Sequence, residues 1–572
     1  MKTIDWVILW ASILAVLFAG LPFRKYIKSV KDYLVAGRTQ PFYLIAPSCQ
    51  AVQSDVGDYF GAAAFCYQHG LVGFAWYAIA CPFTWLVGAH TTIPVMYRSG
   101  VWTPAEYLEV RFNVAARIWG AVLILLQRLF VMGNMILGTA LLFKVLTGTS
   151  LLMGSILALG LGFLYVLFGG VAATVVVGTA QQVLMTVAAW SMFAVAWVVT
   201  GGLPAVWAKF PQYMHIGFQP SNPQIGWGLG FLGVLLGTAG YAVYQAEQIS
   251  RPLSARTEWD GRLGYILAGP ICIFHQAAVV PIGVFGLLMY GAANANLTPR
   301  DILYPRMMVE LLPSGLLGIC AAGVMAATIS TIAANAMSCA GILTRDVYAR
   351  LFKHEATDRH YLNVSRFVTA CWFVLGVLLV PLIAKGGMMN TWMKVTGSFV
   401  APLLPPVLFS TIYSRSGRWA AFLAMIAGGL FGTLNLVFPW APLKALIGPK
   451  WGNFMVFPAT NTIFTTICFF VFSEIENLIR GPMPKSDWVG KVAWTLPENM
   501  KQYAHVREAV ESGTCVEAPT NLDIDASLAG DLVVLKNQIP IYGANGIPWF
   551  KTPWFWTLCV GLLVLGITIY FW

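Results

Sequence analysis

Apolar runs of about 20 residues, the length that carries a helix across a bilayer, recur along nearly the whole chain. A segment of that kind can close its backbone hydrogen bonds only within itself, so the runs dictate helices and exclude a sheet-based core. They occupy residues 4–22, 41–66, 71–97, 117–147, 150–168, 171–200, 225–248, 263–291, 313–343, 367–385, 390–413, 418–438, 452–475 and 553–572. Fourteen membrane helices are therefore expected. Composition agrees: 58% of the 572 residues are hydrophobic, 10% are charged, and the mean hydropathy is +0.70, which excludes a soluble enzyme, a disordered chain and a fibrous one.

The net charge of +11 follows from topology rather than from nucleic acid. Arg24, Lys25, Lys28 and Lys31 directly follow the first run and oppose export of what comes next, so that run reads as an anchor with its N-terminus outside. Alternating the connections from there puts 18 Lys and Arg in short cytoplasmic loops. Seven lie outside: Lys2, Lys209, Arg300, Arg306, Lys385, Lys444 and Lys450. Both termini are then expected on the outer face of a plasma membrane. The ten cysteines stand singly, with no Cys/His cluster suited to a metal, and read as small core residues. The loop 476–552 is the one candidate for a soluble unit, and without a GxxxxGK[ST] motif it cannot cradle a nucleotide phosphate in the P-loop manner.

Polar residues at membrane depth are costly and mark function. The run Gln53-Ser54-Asp55-Val56-Gly57-Asp58 interrupts the span 41–66. It predicts an unwound segment whose freed carbonyls can face a cation, or else an ion-paired kink. A second interruption, Gly237-Thr238-Ala239-Gly240-Tyr241 with Tyr244, Gln245 and Glu247, falls five spans later, as in transporters built from two inverted repeats. The span 313–343 carries adjacent Ser330 and Thr331 after a run of small residues. Their hydroxyls either serve as hard oxygen ligands or bond back to the carbonyl one turn earlier. His90 and His275 read as neutral imidazoles bonded to a carbonyl, with a proton relay as the lesser alternative.

Several motifs together resemble the sodium:solute symporter family. Asp32-Tyr33-Leu34-Val35-Ala36-Gly37-Arg38 is similar to its D-Y-x-x-A-G-R, and Thr103-Pro104-Ala105-Glu106-Tyr107-Leu108-Glu109-Val110-Arg111-Phe112 to its T-x-P-E-Y-L-E-x-R-F with the proline one place early. Gly315-Leu316-Leu317-Gly318, Ala326-Ala327-Thr328-Ile329-Ser330-Thr331 and Thr344-Arg345-Asp346-Val347-Tyr348 match G-L-x-G, A-A-x-M-S-T and T-x-D-x-Y at the family's spacing.

The resemblance implies an all-α membrane protein with a leucine-transporter-type core of two inverted five-helix repeats, one helix before them and three after. The implied division is an anchor helix and basic loop over 1–40, a first repeat over 41–200 and a second over 201–413. Accessory helices over 414–475, the cytoplasmic loop 476–552 and a last helix over 553–572 follow. It implies a sodium ion held by the carbonyls of Ala51, Ser54 and Ala327 and the hydroxyls of Ser330 and Thr331. The family's second sodium site uses an aspartate and serines that here fall on Gly178 or Thr179 and on Ala333 and Ala334, so one coupled sodium is expected. Sugar is disfavoured, because the helix 2 acid aligns with Tyr77 and the helix 7 lysine with Cys272.

The expected function is sodium-coupled symport of a small polar solute, a carboxylate or zwitterion, by alternating access, with no enzymatic step. Candidate solute contacts are Gln53, Asp55, Asp58, Tyr77, Arg128, Tyr241, Tyr244 and Gln245. Arg128 lies about one turn from an arginine that carboxylate-carrying relatives possess. It either meets a carboxylate, neutralises Asp55 or Asp58, or shares a zwitterion with one of them. The partners expected are the solute and the lipid bilayer, with neither nucleic acid nor an obligatory protein. Competing readings are proton coupling through Asp55 or Asp58, uncoupled transport, and a solute sensor signalling through 476–552.

Overall fold

The computed structural model describes residues 1–19, 36–101, 103–168, 171–216, 245–292, 300–353, 355–437, 457–488, 491–493 and 549–571. The interrupted span around Gly237 to Tyr244, most of the loop 476–552 and Cys515 lie outside these residues. The described chain is helical, and its one β-type pairing is the isolated bridge Gln40–Ala255.

The principal helices are α1 Thr3–Ala19, α2 Phe42–Gln53, α3 Ala63–His69, α4 Cys81–His90, α5 Pro104–Arg111, α6 Val114–Thr147, α7 Leu151–Phe168 and α8 Val171–Thr200. They continue with α9 Ala246–Leu253, α10 Glu258–Val279, α11 Ile282–Tyr290, α12 Leu303–Leu311, α13 Leu316–Gly341, α14 Asp358–Gly386, α15 Met388–Val395, α16 Leu404–Ser410, α17 Ala420–Val437, α18 Phe457–Arg480 and α19 Pro553–Phe571. Among the described residues eight helical stretches are long and apolar enough to cross a membrane, and a bent pair makes a ninth.

Gly57–His90 is one such stretch, yet it is folded back on itself. As a straight helix it would hold Asp58 and Tyr77 about 28 Å apart at 1.5 Å per residue; instead the Tyr77 hydroxyl donates to Asp58. The reversal is at Gly70, whose φ of +76° and ψ of −164° suit only glycine. The expected span 71–97 ends early, at His90, with a short helix Thr92–Arg98 after it. Likewise the expected span 390–413 is broken, its two parts meeting at 51°, where Pro402, Pro405 and Pro406 remove backbone donors.

The centre of the protein is the packing of α2, α8, α10 and α13. α13 is buried almost along its whole length, as its small residues allow. α6 and α14 pack alongside, and α17 pairs with α18. The carboxylate of Asp5 in α1 accepts from the N–H groups of Gly315 (2.6 Å) and Gly318 (3.2 Å). It thereby caps the start of α13 with the charge that a helix N-terminus favours.

Two motifs far apart in sequence meet at one end of α6. Arg117 pairs with Glu109 and Asp346 at 2.6 Å each, and Arg345 pairs with Glu106 at 2.5 Å. The Thr103 hydroxyl donates to Asp346 at 3.0 Å. Six of the cysteines are buried; Cys371 and Cys559 are exposed and Cys468 is intermediate, which corrects their uniform reading as core.

Candidate solute and ion site

α2 stops at Gln53 because Ser54 takes an extended conformation (φ −87°, ψ 117°). Asp55 and Asp58 then start the next helical segment. Asp55 Oδ1 accepts from the N–H of Gly57 (2.6 Å) and of Asp58 (3.3 Å), while Asp58 Oδ2 accepts from the N–H of Asp55 (3.2 Å). This reciprocal arrangement is a capping box with Asp in the third position. Neither aspartate neutralises an arginine by direct contact.

The capping has a consequence for the carbonyls behind it. In an unbroken helix Ala51 O would accept from Asp55 N–H and Ser54 O from Asp58 N–H. Both donors are spent inside the break. The freed carbonyls face α13: the Thr331 hydroxyl lies 3.4 Å from Ala51 O and 3.1 Å from Ser54 O, and the Ser330 hydroxyl 3.2 Å from Ala51 O. Both hydroxyls also lie 2.9 Å from Ala327 O, so the back-bonded geometry and the converging one coexist. Three carbonyls share only two hydroxyl protons. An excess of neutral oxygen acceptors of this kind suits a small hard cation.

Beside the break opens a cleft. Its polar lining includes Gln53, Asp55, Asp58, Tyr77 and Asn134, and its apolar lining Trp76, Met388, Met389 and Trp392. Trp76 and Trp392 meet edge to face with ring centroids 5.7 Å apart. The positions read as Tyr77 and Cys272 come together here, the Cys272 thiol donating to Tyr77 O at 3.8 Å. Gln276 donates to Ser54 Oγ (3.0 Å) and Asp58 (3.3 Å), linking the cleft to the break.

Arg128 is not among the residues lining this cleft. Its guanidinium pairs with Glu247 of α9, with both side chains buried, and Gln245 Nε2 donates to the same carboxylate at 2.8 Å. Of the three readings from the sequence, direct pairing with Asp55 or Asp58 is not among the described ion pairs: the low-dielectric interior demands a paired guanidinium, and here the acid in contact is one placed by another helix. Gln245 sits with this pair rather than at the cleft. Tyr241 and Tyr244 lie outside the described residues.

Gly178 is buried with Ser48 near it, and the Thr179 hydroxyl donates to Leu44 O at 3.0 Å. Ala333 and Ala334 are buried in α13. His90 Nδ1 faces Arg262 Nη2 (2.9 Å), leaving Nε2 to donate to Thr557 (2.8 Å), and His275 lies between Tyr59 and Thr186. Both imidazoles are held by side chains rather than by backbone carbonyls.

Sequence reasoning missed Trp76, Asn134, Met388, Met389 and Trp392. Asn134 carried a signal, an amide in an otherwise apolar stretch. Met388 is placed by Asp301, whose Oδ2 accepts from its N–H at 3.2 Å. Burial pushes the Asp301 carboxyl above the usual carboxylate range, against the lowering effect of that N–H.

Residues 33–428 match the model of the sodium:solute symporter family, more than two thirds of the chain. The chain belongs to the sodium:solute symporter family. As a family member it is an integral multi-pass membrane transporter and not an enzyme. It is 25% identical to sodium/glucose cotransporter 4 of Danio rerio over 72% of this chain and 67% of that one. It is 23% identical to sodium/glucose cotransporter 1 of Oryctolagus cuniculus over 86% and 82%. Among solved structures it resembles a Na+-coupled sialic acid symporter in a substrate-bound outward-open state, with a TM-score of 0.67 and 18% identity over 83% of this chain and 98% of that one. This likeness shows the leucine-transporter-type fold expected from the motifs.

Proposed function

We propose that this family member carries out sodium-coupled symport of a small polar organic solute by alternating access. The observation that carries the reading is the convergence of Ala51 O, Ser54 O, Ala327 O, Ser330 Oγ and Thr331 Oγ1 across the broken helix and α13. Sodium at these oxygens ties the break to α13, while the solute occupies the cleft that residues of the same break line. Binding of each then stabilises the geometry that the other needs.

One sodium moves per cycle in this account, since Gly178, Thr179, Ala333 and Ala334 supply no carboxylate for a second. Inward sodium flow contributes about 2.3 kcal/mol per charge per 100 mV, beside its concentration term. In this reading both termini lie outside the plasma membrane, and the Arg117–Asp346 cluster faces the cytoplasm, as the excess of Lys and Arg in the loops on that side supports. A scintillation-proximity measurement with ²²Na⁺ on purified protein tests the reading. One sodium per chain, lost in Thr331→Ala, is expected; no saturable binding, or binding indifferent to Thr331, would overturn it.

A further inference from the structure

The charge of the cleft is one-sided. It has two carboxylates, Asp55 and Asp58, and no Lys, Arg or His among its described lining residues. Residues 217–244, which include Tyr241 and Tyr244, hold neither a basic nor an acidic side chain, so that segment cannot supply a counter-charge wherever it lies. Arg128, the candidate from the sequence, does not line the cleft and is ion-paired with Glu247, whose charge opposes its own.

The unfilled hydrogen-bonding capacity points the same way. Asp55 uses Oδ1 as a helix cap, and its Oδ2 accepts no hydrogen bond from a described residue. Asn134 is only 7% exposed, and its Oδ1 has no partner. A buried acceptor left without a donor is costly, and what would satisfy both groups is a donor or a cation brought by the ligand. The aromatic wall adds to the case: Trp76 and Trp392, edge to face with each other, both line the cleft, and an indole ring can attract a cation through its quadrupole.

We propose that the solute is an organic cation, bound through an amino or quaternary ammonium group placed between the Asp55 carboxylate and the Trp76–Trp392 wall. This rests on the transporter reading above and names its substrate class. A carboxylate solute would meet acidic groups and no basic side chain among the described lining residues, and the expectation of a carboxylate or zwitterion gives way to a cation. Asp58 has its oxygens engaged by Tyr77, Gln276 and the Asp55 N–H, which leaves Asp55 as the direct contact.

The test uses the full-length protein in detergent with saturating NaCl, and reads thermal stabilisation by two pairs of probes. Choline is compared with its neutral carbon isostere 3,3-dimethylbutan-1-ol, and putrescine with butane-1,4-diol; glucose and lactate complete the panel. At least one ammonium probe is expected to raise the unfolding midpoint while its neutral isostere, glucose and lactate do not. Asp55→Asn, which keeps the cap because Asn caps as well as Asp, is expected to raise the half-effective concentration of that probe by about tenfold or more, as loss of a charged partner implies. Trp392→Phe is expected to weaken it less than Trp392→Ala. Failure of both ammonium probes, or equal stabilisation by a neutral isostere, glucose or lactate, overturns the proposal. Sodium alone, compared with potassium in the same wild-type samples, distinguishes the two levels: a sodium shift without an ammonium shift sinks only the substrate class, and no sodium shift sinks the coupling beneath it.

Discussion

Removing one partner of the Arg128–Glu247 pair strands the other charge in the interior, where the two side chains are 1% and 0% exposed. Arg128→Met leaves a buried carboxylate with only the Gln245 amide as a donor among the described residues, and Glu247→Leu leaves a buried guanidinium. Each single change is expected to cost about 3–5 kcal/mol, the range found when buried pairs are broken. Arg128→Met/Glu247→Leu removes both charges and replaces them with apolar bulk. Such replacements range from neutral to stabilising, so the coupling between the two sites is expected to be about 3 kcal/mol or more. The assay is thermal unfolding in detergent followed by intrinsic fluorescence, with one scan rate for all variants because membrane-protein unfolding is commonly irreversible. The double variant should melt above both single variants. A double variant that melts below both, with the two losses simply adding, would refute the reasoning that each charge is there to satisfy the other.

Gly70→Ala should lower the melting temperature sharply, because a Cβ there lies 2.4 Å from Tyr213 O at a φ of +76°; backbone strain alone is worth about 1–3 kcal/mol at such a position. An unchanged midpoint would show that the reversal does not depend on glycine. Asp301→Asn keeps an acceptor for Met388 N–H and should equal or exceed the wild type in stability at neutral pH. A carboxyl whose folded pKa is raised carries a cost that is absent below its ordinary value of 3.8 and grows as pH rises through the raised value. The advantage of the Asn variant should therefore shrink on acidification, and thermal midpoints across pH would contradict this if the gap widened instead.

The break in the span 41–66 was legible because Gln53 to Asp58 is a polar, glycine-containing run where the bilayer tolerates neither. The role of Asp55 and Asp58 within it was less so. Acids near a helix start read equally well as caps, ion-pair partners or ligands, and only the direction of the N–H groups decides. Glu247 was noticed but not joined to Arg128, since their contact bridges 119 positions and depends on how α6 and α9 cross. The bend in 390–413 had a local signal in Pro402, Pro405 and Pro406 that an apolar-run reading passes over, because proline scores as permissible in a membrane span. Met388 is placed by Asp301, and no periodicity in the sequence announces the lining by Met388, Met389 and Trp392.

The claim on which the account rests is that sodium binds where the broken helix meets α13. Thermal unfolding in NaCl against KCl, for wild type and Thr331→Ala, tests it without knowledge of the solute. Ligand binding to the folded state adds RT ln(1 + [Na]/Kd), or about 2.7 kcal/mol at 100 times Kd. The account predicts a higher midpoint in sodium for the wild type and none of that gain for Thr331→Ala. Equal midpoints in the two salts for the wild type, or a sodium gain that survives the loss of the Thr331 hydroxyl, would contradict it.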